Sequence, residues 1–163
     1  MEYLDIVIWG DKVVGKATKE EIYQKLRPHR IVYVLIFNDK GKLALQKRSK
    51  NSSLCPNYWS TVVGGHVQSG ETYEQAAMRE YQKEFGAQSN LEFFSKDFYS
   101  DWRRLNKFVV AFSTVNNGPF KANPDKVQSV KFFSINEIER MIKKGEKFHP
   151  ELLFLLRKYF DLS

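Results

Sequence analysis

The stretch Gly64–Ala87, GGHVQSGETYEQAAMREYQKEFGA, sets two glycines and a histidine ahead of a charged run with glutamates at 71, 74, 80 and 84. Thr72, followed three residues later by Gln75, is an N-cap pair, and Gly86 is a natural C-cap. The spacing therefore predicts a helix over Thr72 to Phe85. At ~100° per residue, Met78, Tyr81 and Phe85 fall on one side as an apolar stripe that can pack on a sheet. Tyr73, Ala76, Ala77, Glu80 and Glu84 fall on the other.

Glu80 and Glu84 stand at i and i+4, where like charges repel unless a cation lies between them. A solvated face is one account of such a pair. The upstream turn offers another. Gly64, Gly65 and Gly70 permit sharp bends, and a backbone carbonyl from such a bend can join two carboxylates in an oxygen set for Mg²⁺ or Mn²⁺. A phosphate substrate then supplies the remaining ligands.

Elsewhere the chain alternates strand and helix signals. IVIW, GDK and VVGKA read as an N-terminal β-hairpin. Thr18 with Glu21 opens a first helix that Pro28 stops. Ile31–Phe37 is apolar without alternation, as expected of a strand covered on both faces. Asn38–Gly41 is a turn into KLALQKR, and after a polar loop YWSTVVGG reads as one short strand. LEFFSKDFYS, NKFVVAFSTV and VKFFSI supply further strands. A second capping box at Ser134 and Glu137, and Pro150 in a first helical turn, open two last helices. This interspersed order argues an α/β or α+β sandwich on a mixed sheet.

The 163 residues make one domain, 1–163, the working expectation. The net charge of +7 favours an anionic ligand such as a phosphate ester, a nucleotide or a nucleic acid, and charge alone does not choose among them. The basic residues are scattered and form no dense tract interleaved with aromatics, which argues against nucleic acid as a partner. Cys55 is the single cysteine, so neither an internal disulfide nor a Cys-rich zinc site is expected. With no apolar run near the ~20 residues that span a bilayer and no secretory pattern at the start, a cytoplasmic protein off the membrane is expected. The N-terminal hairpin and C-terminal helix offer surfaces for a homodimer.

The opening stretch resembles the Nudix box, G-x5-E-x7-R-E-U-x-E-E-x-G-U with U a bulky aliphatic. Gly65, Glu71, Arg79, Glu80, Glu84 and Gly86 match its literal positions at the right spacing. Tyr81 and Ala87 fill the aliphatic positions loosely, and Lys83 replaces the first glutamate of the E-E pair. The resemblance implies a Nudix-like α/β/α sandwich and a hydrolase that cleaves a diphosphate linkage by water attack. It implies that Glu80 and Glu84, with the Gly65 carbonyl, hold a divalent ion, that both are catalytic candidates, and that Glu71 and Arg79 brace the loop. Lys83 either stands in for a lost ion's charge or points to solvent.

Over most of its length the chain is similar to the Nudix branch related to isopentenyl diphosphate isomerase. The isomerases carry a cysteine two residues before the motif's histidine, and here that position is Gly64. Their downstream glutamate pair has no counterpart at Leu105, Asn106 and Lys107. Isomerisation needs an acid and a base on opposite faces of the alkene, so hydrolysis is expected instead. Nucleoside diphosphates or their derivatives are the expected substrates. Arg48 at its strand end and His66 beside Gly65 are candidate substrate ligands, against an exposed arginine and a structural histidine hydrogen bond. Tyr58, Trp59 and Trp102 are either base-stacking or core aromatics. The competing class is a ligand-binding or regulatory module on the same scaffold whose catalysis Lys83 has impaired.

Overall fold

A computed structural model of the chain describes residues 1–121 and 123–162. These fall into two compact units, one of residues 1–34 and 63–113, the other of the described residues from 35–62 and from 114 onwards. Strands and helices intermix throughout, with an N-terminal antiparallel hairpin and a multi-stranded sheet, which is the α/β class expected.

In the first unit, β1 (Tyr3–Ile8) pairs antiparallel with β2 (Lys12–Thr18), and Asp11 takes a left-handed φ of 59° in the turn between them. Asp is among the few residues other than glycine that adopt this conformation readily. Thr18 caps α1 (Lys19–Gln24) by accepting a hydrogen bond from the Glu21 amide, and Ile22 of α1 packs with Leu4 and Ala17 in a small buried cluster. β3 (His29–Phe37) begins in this unit, where Ile31 to Val34 pair antiparallel with β6 (Val63–His66). α2 (Tyr73–Phe85) follows, and β7 (Glu92–Ser100) pairs antiparallel with β8 (Asn106–Val115).

In the second unit, β4 (Leu43–Arg48) is flanked by β5 (Trp59–Thr61) and β9 (Val127–Phe133), both antiparallel. α3 (Ile135–Lys143) carries the capping box of Ser134 and Glu137, and α4 (Pro150–Tyr159) starts with its proline in the first turn. Leu43, Leu45, Trp59, Leu152, Leu155 and Leu156 are buried here. Trp59 is therefore a core residue, and its indole N–H donates to Glu146 at 3.0 Å.

Two expectations need correction. YWSTVVGG is two strands: β5 pairs with β4 while β6 pairs with β3. An apolar run does not reveal a change of partner within it. In α2 the buried residues are Ala76, Ala77 and Tyr81, so of the expected stripe Tyr81 packs inward while Met78 and Phe85 are only partly covered, and the two alanines are buried with it. The helix meets β6 closely at Gly65, where an added Cβ would lie 2.8 Å from Glu80 Oε1.

Candidate active site

β6 delivers Gly64, Gly65 and His66 in succession. A Cβ on Gly64 would lie 2.5 Å from the Tyr33 ring, and one on Gly65 would lie 2.8 Å from Glu80 Oε1. Successive residues of a strand face opposite sides, so the two glycines admit two different neighbours. Gly65 brings the backbone of β6 against the Glu80 carboxylate. His66 shares the face of Gly64, where its Nε2 shares a 2.6 Å hydrogen bond with the Tyr23 hydroxyl and its ring lies 5.7 Å from that of His29.

The loop between β6 and α2 is held from both ends. Glu71 accepts from the Gln68 amide at 2.8 Å and from Arg79 Nε and Nη2 at 2.8 and 3.0 Å. Asp5 of β1 accepts from the Ser69 hydroxyl and the Gly70 amide, and the Ser69 amide donates to the Tyr3 carbonyl. Gly70 turns with φ at 85°, and Thr72 and Gln75 close the full capping box that starts α2. At its far end Gly86 takes the left-handed C-cap.

Arg79 is the hub of this arrangement. Its guanidinium donates to both oxygens of Glu71, to Glu80 Oε1 at 2.7 Å and to the His66 carbonyl at 3.0 Å. Its hydrogen bonds to Glu71 foremost, and then to Glu80 against the opposing effect of burial, push its pKa above the ordinary arginine value. Burial alone would raise Glu71, but the Arg79 and Gln68 hydrogen bonds outweigh it and hold the carboxyl below its usual range. Both side chains are thus fixed in their charged forms.

A second ionic cluster seats the start of α2. Asp11 Oδ1 accepts from Arg30 Nε at 2.7 Å, and Oδ2 accepts from the Tyr73 hydroxyl at 2.6 Å and lies 2.8 Å from Lys96 Nζ. Burial opposes ionisation of Asp11, yet Lys96, Tyr73 and Arg30 together hold its pKa below the usual carboxylate value. Burial, followed by the bond to Asp11, drives the Tyr73 phenol well above its ordinary value.

The structure thus joins Glu71, Arg79, Glu80 and the His66 carbonyl by hydrogen bonds, with the Gly65 backbone against Glu80 and Glu84 one turn further along α2. Among the described residues no group of three or more His, Cys, Asp or Glu side chains is placed to hold a metal. A hard ion would therefore draw on the two carboxylates, main-chain oxygen and its substrate, and the Glu80 carboxylate lying against the Gly65 backbone fits such a set. Lys83 Nζ lies 3.5 Å from Glu80 Oε2, with its side chain 68% exposed.

Arg48 is engaged within its own unit, donating to the Leu54 carbonyl at 2.9 Å and to the Ser52 hydroxyl at 3.1 Å. Trp102 is 90% exposed beside Arg103. Asp101 is taken up by Arg103 and the Leu105 amide, which leaves it bracing the β7–β8 turn. Sequence reasoning missed Asp5, Asp11 and Tyr23. Asp5 alone left a trace, as an acid inside the apolar run of β1.

A family model described as the NUDIX domain matches residues 27–156. An uncharacterised Nudix hydrolase of Listeria monocytogenes is 33% identical over 167 residues, covering 100% of this chain and 96% of that protein. Another, of Pseudomonas aeruginosa, is 26% identical over 160 residues, covering 96% and 94%. The crystal structure of DR0079 from Deinococcus radiodurans superposes with a TM-score of 0.79 at 29% identity, covering 96% of this chain and 98% of the other.

Proposed function

Because the chain belongs to the NUDIX domain family and is a Nudix hydrolase, we propose that it cleaves the diphosphate linkage of a nucleoside diphosphate, or of a derivative of one, with the aid of Mg²⁺ or Mn²⁺. The observation that carries this reading is the Glu80 carboxylate, seated against the Gly65 backbone and fixed there by an arginine that also grips Glu71 and the His66 carbonyl. When bound, a divalent ion supplies neutralisation of phosphoryl charge and activation of water. Glu80 and Glu84 are its ligands in this proposal, joined by the Gly65 carbonyl, with Glu80 the first candidate to accept the proton of the attacking water. Glu71 and Arg79 hold Glu80 in place, and Gly86 ends the helix that presents it. His66 is the candidate substrate contact in this unit, Arg48 is a separate candidate for a phosphate in its own unit, and the cytoplasm is the proposed working compartment.

Isomerisation of a prenyl diphosphate is the less favoured reading, because Gly64 carries no side chain to act at an alkene. A binding module without turnover is favoured by one observation: both Glu80 oxygens already face a cation, Arg79 on one and Lys83 on the other. The two classes separate on hydrolysis. Mg²⁺-dependent release of phosphate or nucleoside monophosphate is measured over a broad panel of nucleoside diphosphates and derivatives, with Glu80→Gln as the reference. Turnover well above that variant supports the enzyme, and no turnover above it on any substrate leaves the binding module.

A further inference from the structure

Glu80 receives two cations of unequal mobility from its own helix. Arg79 Nη1, 2.7 Å from Oε1, is tied down by its other bonds to Glu71 and the His66 carbonyl. Lys83 Nζ, 3.5 Å from Oε2, has no such anchor, because its side chain is 68% exposed whereas that of Glu80 is only 14% exposed. An ion pair with one partner in solvent is worth about 0–1 kcal/mol, so the ammonium can leave Oε2 at little cost. While it stays, its positive charge stands beside the oxygen that a divalent ion would need and repels that ion.

We propose that Lys83 is a displaceable counter-ion that couples the binding of a diphosphate to the binding of the divalent ion. The proposal rests on the reading of Glu80 as an ion ligand. A diphosphate draws the ammonium off Glu80 Oε2 to its own oxygens and so frees the carboxylate for the metal. Reciprocally, an ion arriving at Glu80 expels the ammonium, which then serves the anion. Linkage makes the two effects equal in size, so each ligand tightens the other by the same factor. The lysine that breaks the box pattern thereby acts as a specificity device that discourages metal loading without a phosphate ligand.

The test reads binding rather than turnover. Free Mn²⁺ is followed by electron paramagnetic resonance during titration of the wild type, Lys83→Met and Lys83→Arg, each with and without saturating methylene diphosphonate. Without the diphosphonate, Lys83→Met is expected to bind Mn²⁺ roughly three- to tenfold more tightly than the wild type, the size expected for removing one exposed charge beside the site. With it the advantage disappears, because the lysine then repays its cost at the phosphates, and Lys83→Arg behaves as the wild type does. An equal gain for Lys83→Met under both conditions overturns the proposal, since that is the signature of a fixed background charge. Affinities unchanged in both conditions overturn it as well, showing a solvated side chain. If no form takes up Mn²⁺ even with the diphosphonate, the ion-binding reading of Glu80 falls first and this inference with it. The exposed position of Lys83 keeps all three proteins folded.

Discussion

Asp5 Oδ1 accepts a hydrogen bond from the Ser69 hydroxyl at 2.7 Å, while Oδ2 accepts one from the Gly70 amide at 3.2 Å. One carboxylate on β1 thereby pins the loop that leads into α2, although β1 itself precedes the segment matched by the family model. Asp5→Ala removes the acceptor from both donors in a part-buried setting, and a destabilisation of about 1–3 kcal/mol is expected in urea unfolding. Hydrolysis should fall as well, and the Gly70 amide should exchange faster with solvent. Unchanged exchange at Gly70 would show that the loop does not depend on β1.

Asp11 binds three side chains from three elements, and its own side chain is 6% exposed. Asp11→Asn keeps the shape and tolerates the left-handed backbone but leaves Arg30 and Lys96 without their anion, so a loss of about 1–3 kcal/mol near neutral pH is expected. The pH dependence has a definite sign. The folded-state pKa lies below the ordinary value of 3.8, so the stabilisation is complete above pH 3.8 and is lost as the pH falls below it through the lowered value. The gap in urea midpoint between wild type and Asp11→Asn should therefore be wide at pH 6 and should narrow in acid.

Adjacent glycines should respond differently to alanine. At Gly64 the new methyl would meet the Tyr33 ring at 2.5 and 2.9 Å and the Val32 carbonyl at 3.1 Å. Backbone and ring give way poorly, and a stability loss of roughly 1–3 kcal/mol is expected. At Gly65 the obstacle is the Glu80 carboxylate, at 2.8 Å, the far end of a side chain that can turn away from the backbone by giving up its bond to Arg79. Gly65→Ala should leave the melting temperature nearly intact while displacing Glu80 and lowering Mn²⁺ affinity and turnover. Equal melting-temperature losses for the two variants would count against this placement of Glu80.

Arg79→Lys preserves the charge and discards the fork. A single ammonium cannot reproduce donations to both Glu71 oxygens, Glu80 and the His66 carbonyl. Partners that orient a ligand typically cost 10–100-fold in affinity or activity when changed, and a loss of about that size is expected in Mn²⁺ binding and hydrolysis. Circular dichroism should show the fold retained. A variant within twofold of the wild type on both readouts would remove Arg79 as the organiser of the site.

Much of this was readable along the chain because it depends on neighbours in sequence. Thr18, Thr72 and Ser134 cap their helices where the local patterns placed them, and Gly86 closes α2. The unbroken apolar run in β3 announced a strand buried on both faces, as Val32, Val34, Leu35 and Ile36 are. The split of YWSTVVGG could not be read in the same way, since its halves differ in partner and not in composition. Nor could the full inward face of α2, where periodicity favoured Met78, Tyr81 and Phe85 and only Tyr81 is buried. Ala76 and Ala77 are buried as well, because what a helix face packs against is not written in the helix itself.

By itself the sequence determined the box: a glycine turn, a capped helix, and glutamates and an arginine at spacings that local helix geometry converts into one surface. It also determined the departure at Lys83. Only the tertiary structure decided what each charge is paired with. Glu71 and Arg79 are eight residues apart and meet because the Gly70 turn folds the loop back, and Asp5 reaches Gly70 across 65 residues. Side-chain electrostatics act over a few ångströms in space, and only folding brings such distant residues within that range.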